Sequence, residues 1–205
     1  VVDGGVVLKL STVRRLGLWG SVACLAGYLL SFISELYAPG LVLMLLGGVL
    51  VLVALYGLSK VYGDGSIFWN ALLATIVAGL AVILALAPLL AAVAFGLLRV
   101  AVDGVEGLVA ALTVAAVASA LLWYRALATL SDRSGVKLFK WSAILYVASV
   151  ALYTTGLLPT IILAGLTLPL SGPIINLVGL ILLALGFLKL KPPATQTPPE
   201  TVEPA

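Results

Sequence analysis

FWNALLATIVAGLAVILALAPLLAAVAFGLL, residues 68–98, runs without a single charged side chain. As helix, its about 31 residues would rise roughly 46 Å at about 1.5 Å each. A bilayer's hydrocarbon core is only about 30 Å thick. The run therefore predicts a membrane span that tilts, protrudes or kinks at Pro88. The whole chain is of the same kind, with 63% of its 205 residues hydrophobic, 9% charged and a mean hydropathy of +1.27. Soluble domains carry about a quarter charged residues. The short alternating segments of a β-barrel are absent from the sequence.

On either side of that run, further apolar stretches predict helices at 16–34, 41–58, 105–124, 140–158 and 173–188. The order implies three domains: a lead over 1–15 ending in the basic collar Lys9, Arg14 and Arg15, a six-helix membrane domain over 16–191, and a Pro/Thr-rich tail over 192–205. Such a tail reads as extended and disordered. Tyr37-Ala38-Pro39-Gly40 and Gly63-Asp64-Gly65-Ser66 read as turns, with Asp64 or Ser66 capping the helix that follows. Whether 159–170 extends the fifth helix, re-enters the membrane or lies in the interface is left open by Pro159 and Pro169.

Charge sets the orientation. Lys9, Arg14, Arg15, Lys60, Arg125, Arg133, Lys137, Lys140, Lys189 and Lys191 fall on one side of this reading, and Arg99 alone falls on the other. Positive charge near span ends stays cytoplasmic. The fold class expected is an all-α, polytopic integral membrane protein of the plasma membrane, with six transmembrane helices and both termini cytoplasmic. The collar and first span also resemble a signal peptide. An apolar stretch of about nineteen residues exceeds the usual core of about 7–15, and no small-residue cleavage pattern follows, so it reads as a retained span.

Chemistry is sparse. The chain has no histidine, and Cys24 is its one cysteine, so an intrachain disulfide and a Cys/His metal site are excluded. No catalytic, cofactor-binding or metal-ligating set can be assembled, and the expectation is a protein that is not an enzyme. The net charge of +3 reads as topology rather than affinity for nucleic acid. An ionisable residue at a span centre would be a functional candidate by default. Glu35 and Arg125 instead lie at span ends, Arg125 where it can snorkel to headgroups. Pro88 can open a helix carbonyl for an ion, or serve ordinary packing. Asn70 reads as interfacial, and Asn176 as a donor to a neighbouring helix. The basic segment 125–140 can hold anionic headgroups, although enforcing topology would suffice to explain it.

Small residues are patterned. Gly172, Gly179 and Gly186 recur every seven residues on the sixth span, and Gly17/Ser21, Gly20/Cys24 and Ala23/Gly27 form small-xxx-small pairs on the first. Such faces let backbones approach closely, within one chain or between copies or partners. Tyr28, Tyr37, Tyr62, Trp69, Trp123, Tyr124 and Trp141 fall near span ends, as interfacial aromatic belts do. Tyr56, Asp64 and Ser66 recur as Tyr124, Asp132 and Ser134, either through duplication or because capping turns recur.

The stretches LYGLSKVYGDGSIFWNA (55–71) and DRSGVKLF (132–139) resemble a family of small archaeal multi-span membrane proteins of unknown function. The likeness covers spans one to six, leaves out the tail, and carries no assigned activity. It implies an archaeal plasma-membrane protein and adds no site residue. Taken together, these features predict a non-catalytic structural, assembly or partner-binding membrane component. The alternative is a transporter or channel for a small or apolar solute. A membrane-embedded lipid enzyme ranks third. The expected partners are the lipid bilayer and, through the Gly/Ala-rich faces, another protein or a second copy; nucleic acid is not among them.

Overall fold

The computed structural model describes residues 9–94, 105–163 and 171–190, which are almost entirely helical. Helices α1 (Leu10–Leu30), α2 (Tyr37–Val61), α3 (Ser66–Ala94), α4 (Val105–Ser134), α5 (Lys137–Leu163) and α6 (Ser171–Leu188) follow one another, with one 3₁₀ turn at Ser34–Leu36. Among the described residues, three helical segments are long and apolar enough to cross a membrane: Ser34–Val61, Ser66–Leu84 and Val109–Ser134. Gly172–Leu188 is a shorter apolar helix. Arg99, Asp103, Lys191 and the tail over 192–205 lie outside the described residues, as do residues 1–8 of the lead.

Most helices are longer than the apolar stretches that announce them. Pro39 and Gly40 do not form a turn, because α2 starts at Tyr37. Proline is tolerated there, since first-turn amides have no partner inside the helix anyway. The chain instead breaks at 31–33, one turn earlier than the sequence signal. Arg14 and Arg15 belong to α1 itself, and Arg125 lies exposed within α4, which continues to Ser134. Helix α3 passes through Pro88 to Ala94, and α5 passes through Pro159 to Leu163. Residues 164–170 lie outside the described set.

Two glycines end helices in the left-handed region, Gly63 at φ 67° and Gly135 at φ 68°. After α2, the Asp64 amide donates to the Ser59 carbonyl at 2.9 Å while the Tyr62 amide donates to Leu58. The first is the six-to-one closure that a left-handed glycine permits, and the second is the last ordinary bond of the helix. Asp64 then caps α3, its Oδ1 accepting from the Ser66 amide at 3.0 Å and the Ser66 hydroxyl at 2.6 Å. Asp132, the echo of Asp64, sits inside α4 and does not cap a helix. The 68-residue offset therefore pairs a turn residue with a helical one.

Each helix packs on its neighbours in sequence, and α6 returns to α1, so the dominant contacts close a ring of six alternating helices. Three hairpins within it share one device, in which a small side chain donates to the partner helix's backbone. Cys24 Sγ donates to the Met44 carbonyl at 3.6 Å, Ser119 Oγ to Ala74 at 2.9 Å, and Ser142 Oγ to Gly179 at 2.8 Å. Between α1 and α2 the backbones nearly touch. A Cβ on Gly47 would lie 2.6 Å from the Cys24 amide nitrogen, and one on Gly20 would lie 2.8 Å from the Gly47 carbonyl oxygen. On α6, Gly179 and Gly186 face α5, opposite Ser142 and Phe139.

Among the described residues the core cluster lies at one end of the ring, where the basic residues gather. Phe139, Phe187, Leu55, Leu58, Ile67, Leu130 and Val13 are its largest fully buried side chains, and all six helices contribute to the ring there. Phe139 and Phe187 meet edge to face, centroids 5.3 Å apart. Farther along the helices the outer faces are apolar and exposed, Leu45 at 71% and Val114 at 69% for example. An apolar surface on that scale suits lipid rather than water. Lipid offers no hydrophobic drive for helices to associate. Water at the basic end does, which accounts for the large side chains packing there.

Candidate functional site

Above the core, the inward stripes of three helices stop meeting and leave a half-open cavity of about 400 Å³. On α3 the buried series Ile67, Ala71 and Ala74 continues at helical spacing into Ala78, Ala81 and Val82. On α4, Leu130, Ala126 and Ser119 lead into Ala116, Thr113 and Leu112. On α5, Phe139 and Ala143 lead into Tyr146, Val150 and Thr154. Alanine makes the difference: side chains too short to reach the ring centre leave space where Phe and Leu fill it nearer the basic end. The volume falls within the range of small-molecule pockets, about 300–1,000 Å³.

The cavity is apolar with four hydroxyls. Ser119 donates to the Ala74 carbonyl and Thr154 to the Ala151 carbonyl at 3.0 Å, while the Tyr146 hydroxyl meets Ser119. Ser119, Tyr146 and Thr154 are thus engaged by helix backbone or by each other, as hydroxyls in an apolar setting tend to be. The lining suits a hydrocarbon chain or a small apolar solute better than an ion. Sequence analysis missed these residues. The signal was available in the hydroxyls of Ser119, Tyr146 and Thr154, which stand within otherwise apolar runs.

At the basic end, two turns are tied together. Arg133 Nε donates to Asp64 Oδ2 at 3.1 Å and its terminal nitrogen lies 3.1 Å from the same oxygen, joining the α4–α5 turn to the α2–α3 turn. The Ser66 hydroxyl, the Ser66 amide and the Arg133 guanidinium together hold the Asp64 carboxyl below its usual range. Ser131 is buried beneath this turn, whereas Asp132 is exposed.

The remaining sequence candidates are scattered. Glu35 is exposed in the 3₁₀ turn, and Asn70 and Asn176 are half-buried on α3 and α6. Among the described residues Asn176 makes no hydrogen bond to another helix, contrary to expectation. Its α6 neighbour Gly179 receives the interhelical bond through its carbonyl instead. The aromatics divide. Trp69 and Trp141 stand outward at 60% and 58% exposure, whereas Trp123 and Tyr124 pack against the core and Tyr28 is buried. Trp19, absent from the sequence-derived belt, is exposed at 64%. Among the described residues, no three His, Cys, Asp or Glu side chains converge as a metal set would.

Neither the curated proteins nor the solved structures include a match to this chain. One family profile does match, over residues 43–174, which is narrower than the six-span likeness expected from the sequence and leaves α1 and most of α6 outside it. The matched stretch contains the Asp64 and Arg133 turns and all three walls of the cavity, and by it the chain belongs to the family described as Protein of unknown function (DUF996).

Proposed function

We propose that this protein is a six-span protein of an archaeal plasma membrane, with both termini cytoplasmic, acting as a non-catalytic structural, assembly or partner-binding component. The observation that carries this reading is the core at the basic end, where the largest buried side chains fill the middle of the helix ring. A packed plug of this kind costs several kcal/mol to open, since each large buried apolar side chain contributes about 1.5–3 kcal/mol. It favours a fixed scaffold over an open path. The alternating ring supports six crossings, because α1 and α5 pack alongside helices that meet the length criterion and α6 packs between α5 and α1. The basic ends of all six then share one side, which the distribution of Lys and Arg assigns to the cytoplasm.

A second reading rests on the cavity, whose apolar lining on α3, α4 and α5 favours a carrier of a small apolar solute. Native mass spectrometry on protein gently extracted from its own membrane separates the two. A stoichiometric protein companion supports the scaffold; a defined small molecule retained by the bare chain supports the carrier and displaces the first reading. Topology is checked with Asp132→Cys in a Cys24→Ala background. The new thiol is expected to label only from the cytoplasmic side, and labelling on intact cells would refute the orientation.

A further inference from the structure

The two collar arginines do more than mark a side, because α1 gathers them on one face. Ser11, Arg14, Arg15, Leu18 and Trp19 recur at the i, i+3, i+4, i+7 and i+8 spacing, and Leu188 of α6 completes a groove of about 550 Å³. The groove is graded along the helix axis. A hydroxyl and two guanidiniums lie nearest the end of α1, and leucine and tryptophan lie deeper. We propose that this groove binds the phosphate headgroup of an anionic membrane lipid, with its acyl chains lying against Leu18, Trp19 and Leu188.

Three observations converge on that occupant. Arg14 and Arg15 are both exposed, and among the described residues neither makes an ion pair; the Arg133–Asp64 pair lies at another corner of the molecule. Among the described residues, no carboxylate lines the groove. Guanidinium is the side-chain group whose planar donor fork matches phosphate, and an exposed tryptophan beside it is placed as interfacial tryptophans are. A second basic groove, at Asp132, Lys137, Lys140 and Trp141, makes a useful contrast. It has its own carboxylate and offers lysine point charges rather than paired forks, so it is the weaker phosphate site. Topology alone requires positive charge somewhere in the collar. It does not require two arginines, a hydroxyl and a tryptophan in one groove.

The inference rests on the membrane reading above, and the test separates the two. Full-length protein is reconstituted into phosphatidylcholine bilayers, then offered phosphatidylglycerol or further phosphatidylcholine in mixed micelles, and retained lipid is read by native mass spectrometry. Insertion into phosphatidylcholine with helical content intact supports the membrane reading; failure there overturns that reading and the groove with it. Given insertion, phosphatidylglycerol is expected to be retained at least tenfold over phosphatidylcholine. The Arg14→Gln/Arg15→Gln variant is expected to lose about tenfold of that retention, and Lys137→Gln/Lys140→Gln to keep it. Because both arginines are exposed, an unchanged melting temperature of the arginine variant verifies that folding is intact, and Ser11→Ala supplies a milder version of the same loss. Equal retention of the two lipids, unchanged retention in the arginine variant, or displacement by millimolar inorganic phosphate overturns the lipid site.

Discussion

Asp64 shows how much one side chain can organise at the surface of this fold. Its two oxygens divide the labour: Oδ1 caps α3 through Ser66, and Oδ2 takes Arg133 from the neighbouring turn. A lost N-cap costs about 1 kcal/mol, and an exposed ion pair adds at most a little, since Arg133 is largely in water. Asp64→Ala is therefore expected to lower stability by about 1 kcal/mol at neutral pH. The sign with pH follows from a carboxyl whose folded value lies below its ordinary one. Its contribution is complete above about pH 4, the ordinary carboxylate value, and disappears as pH falls through the folded value. The melting-temperature gap between wild type and Asp64→Ala should hold steady above that point and narrow below it. A gap that stays constant into strong acid would remove the carboxylate from the account. The Asp64 cap was legible in the sequence, one of two alternatives left by Asp-Gly-Ser. The Arg133 partner was not, because no local pattern relates positions so far apart.

At the scale of the element, the α1–α2 hairpin is held by absence of side chain. Gly20 and Gly27 on α1 face Gly47 and Gly40 on α2, at separations where a Cβ would meet backbone atoms that cannot give way. Close approach of this kind substitutes van der Waals contact and weak polar bonds for the hydrophobic drive missing in lipid. Gly48, next in sequence, has nothing within 4 Å of a Cβ position. Gly47→Ala should thus destabilise by roughly 1–3 kcal/mol, as overpacking does, while Gly48→Ala should leave the melting temperature unchanged or slightly raised. Equal effects in the pair would dismiss the hairpin contact. Gly179 on α6 behaves differently from these and from Gly186, whose Cβ would meet the Phe139 ring at 2.9 Å. Gly179 has room for a methyl, its Cβ position lying 3.5 Å from the Ser142 carbonyl oxygen, so a bulky residue rather than alanine is needed to force α6 off α5. The sequence showed that small residues were patterned; which of them actually touch depends on how the helices rotate against one another.

For the molecule as a whole, the ring closes where α6 meets α1. Phe187 lies against Gly17 on α1 and edge to face with Phe139 on α5, so one ring spans three helices. Phe187→Ala is expected to cost about 3–5 kcal/mol, the range for emptying a large buried aromatic site. The loss should fall on the α1–α6 seam, read as faster hydrogen exchange at 11–20 and 180–188 than at the α3–α4 hairpin. Uniform acceleration everywhere would argue against a localised seam. The same substitution should leave the cavity between α3, α4 and α5 intact, since Phe187 does not line it.

The sequence alone determined that this is a helical, membrane-suited chain, where its helices lie to within about three turns, and which ends carry the positive charge. Those properties follow from hydropathy and charge, which act residue by residue and need no partner. Helix ends were harder to place, because α1, α2 and α4 run past the apolar stretches into polar sequence where only packing sustains them. Arg125 reads as a terminus in the sequence and stands mid-helix in the structure, supported by Ala126, Leu127 and Leu130 against the core. Only the tertiary structure decided that six helices form a ring, that large side chains fill one end while alanines leave a cavity above, and that Arg14, Arg15 and Trp19 share a groove with Leu188. Each of these depends on the relative rotation and register of helices far apart in the chain, set by the fit of their side chains rather than by any local preference.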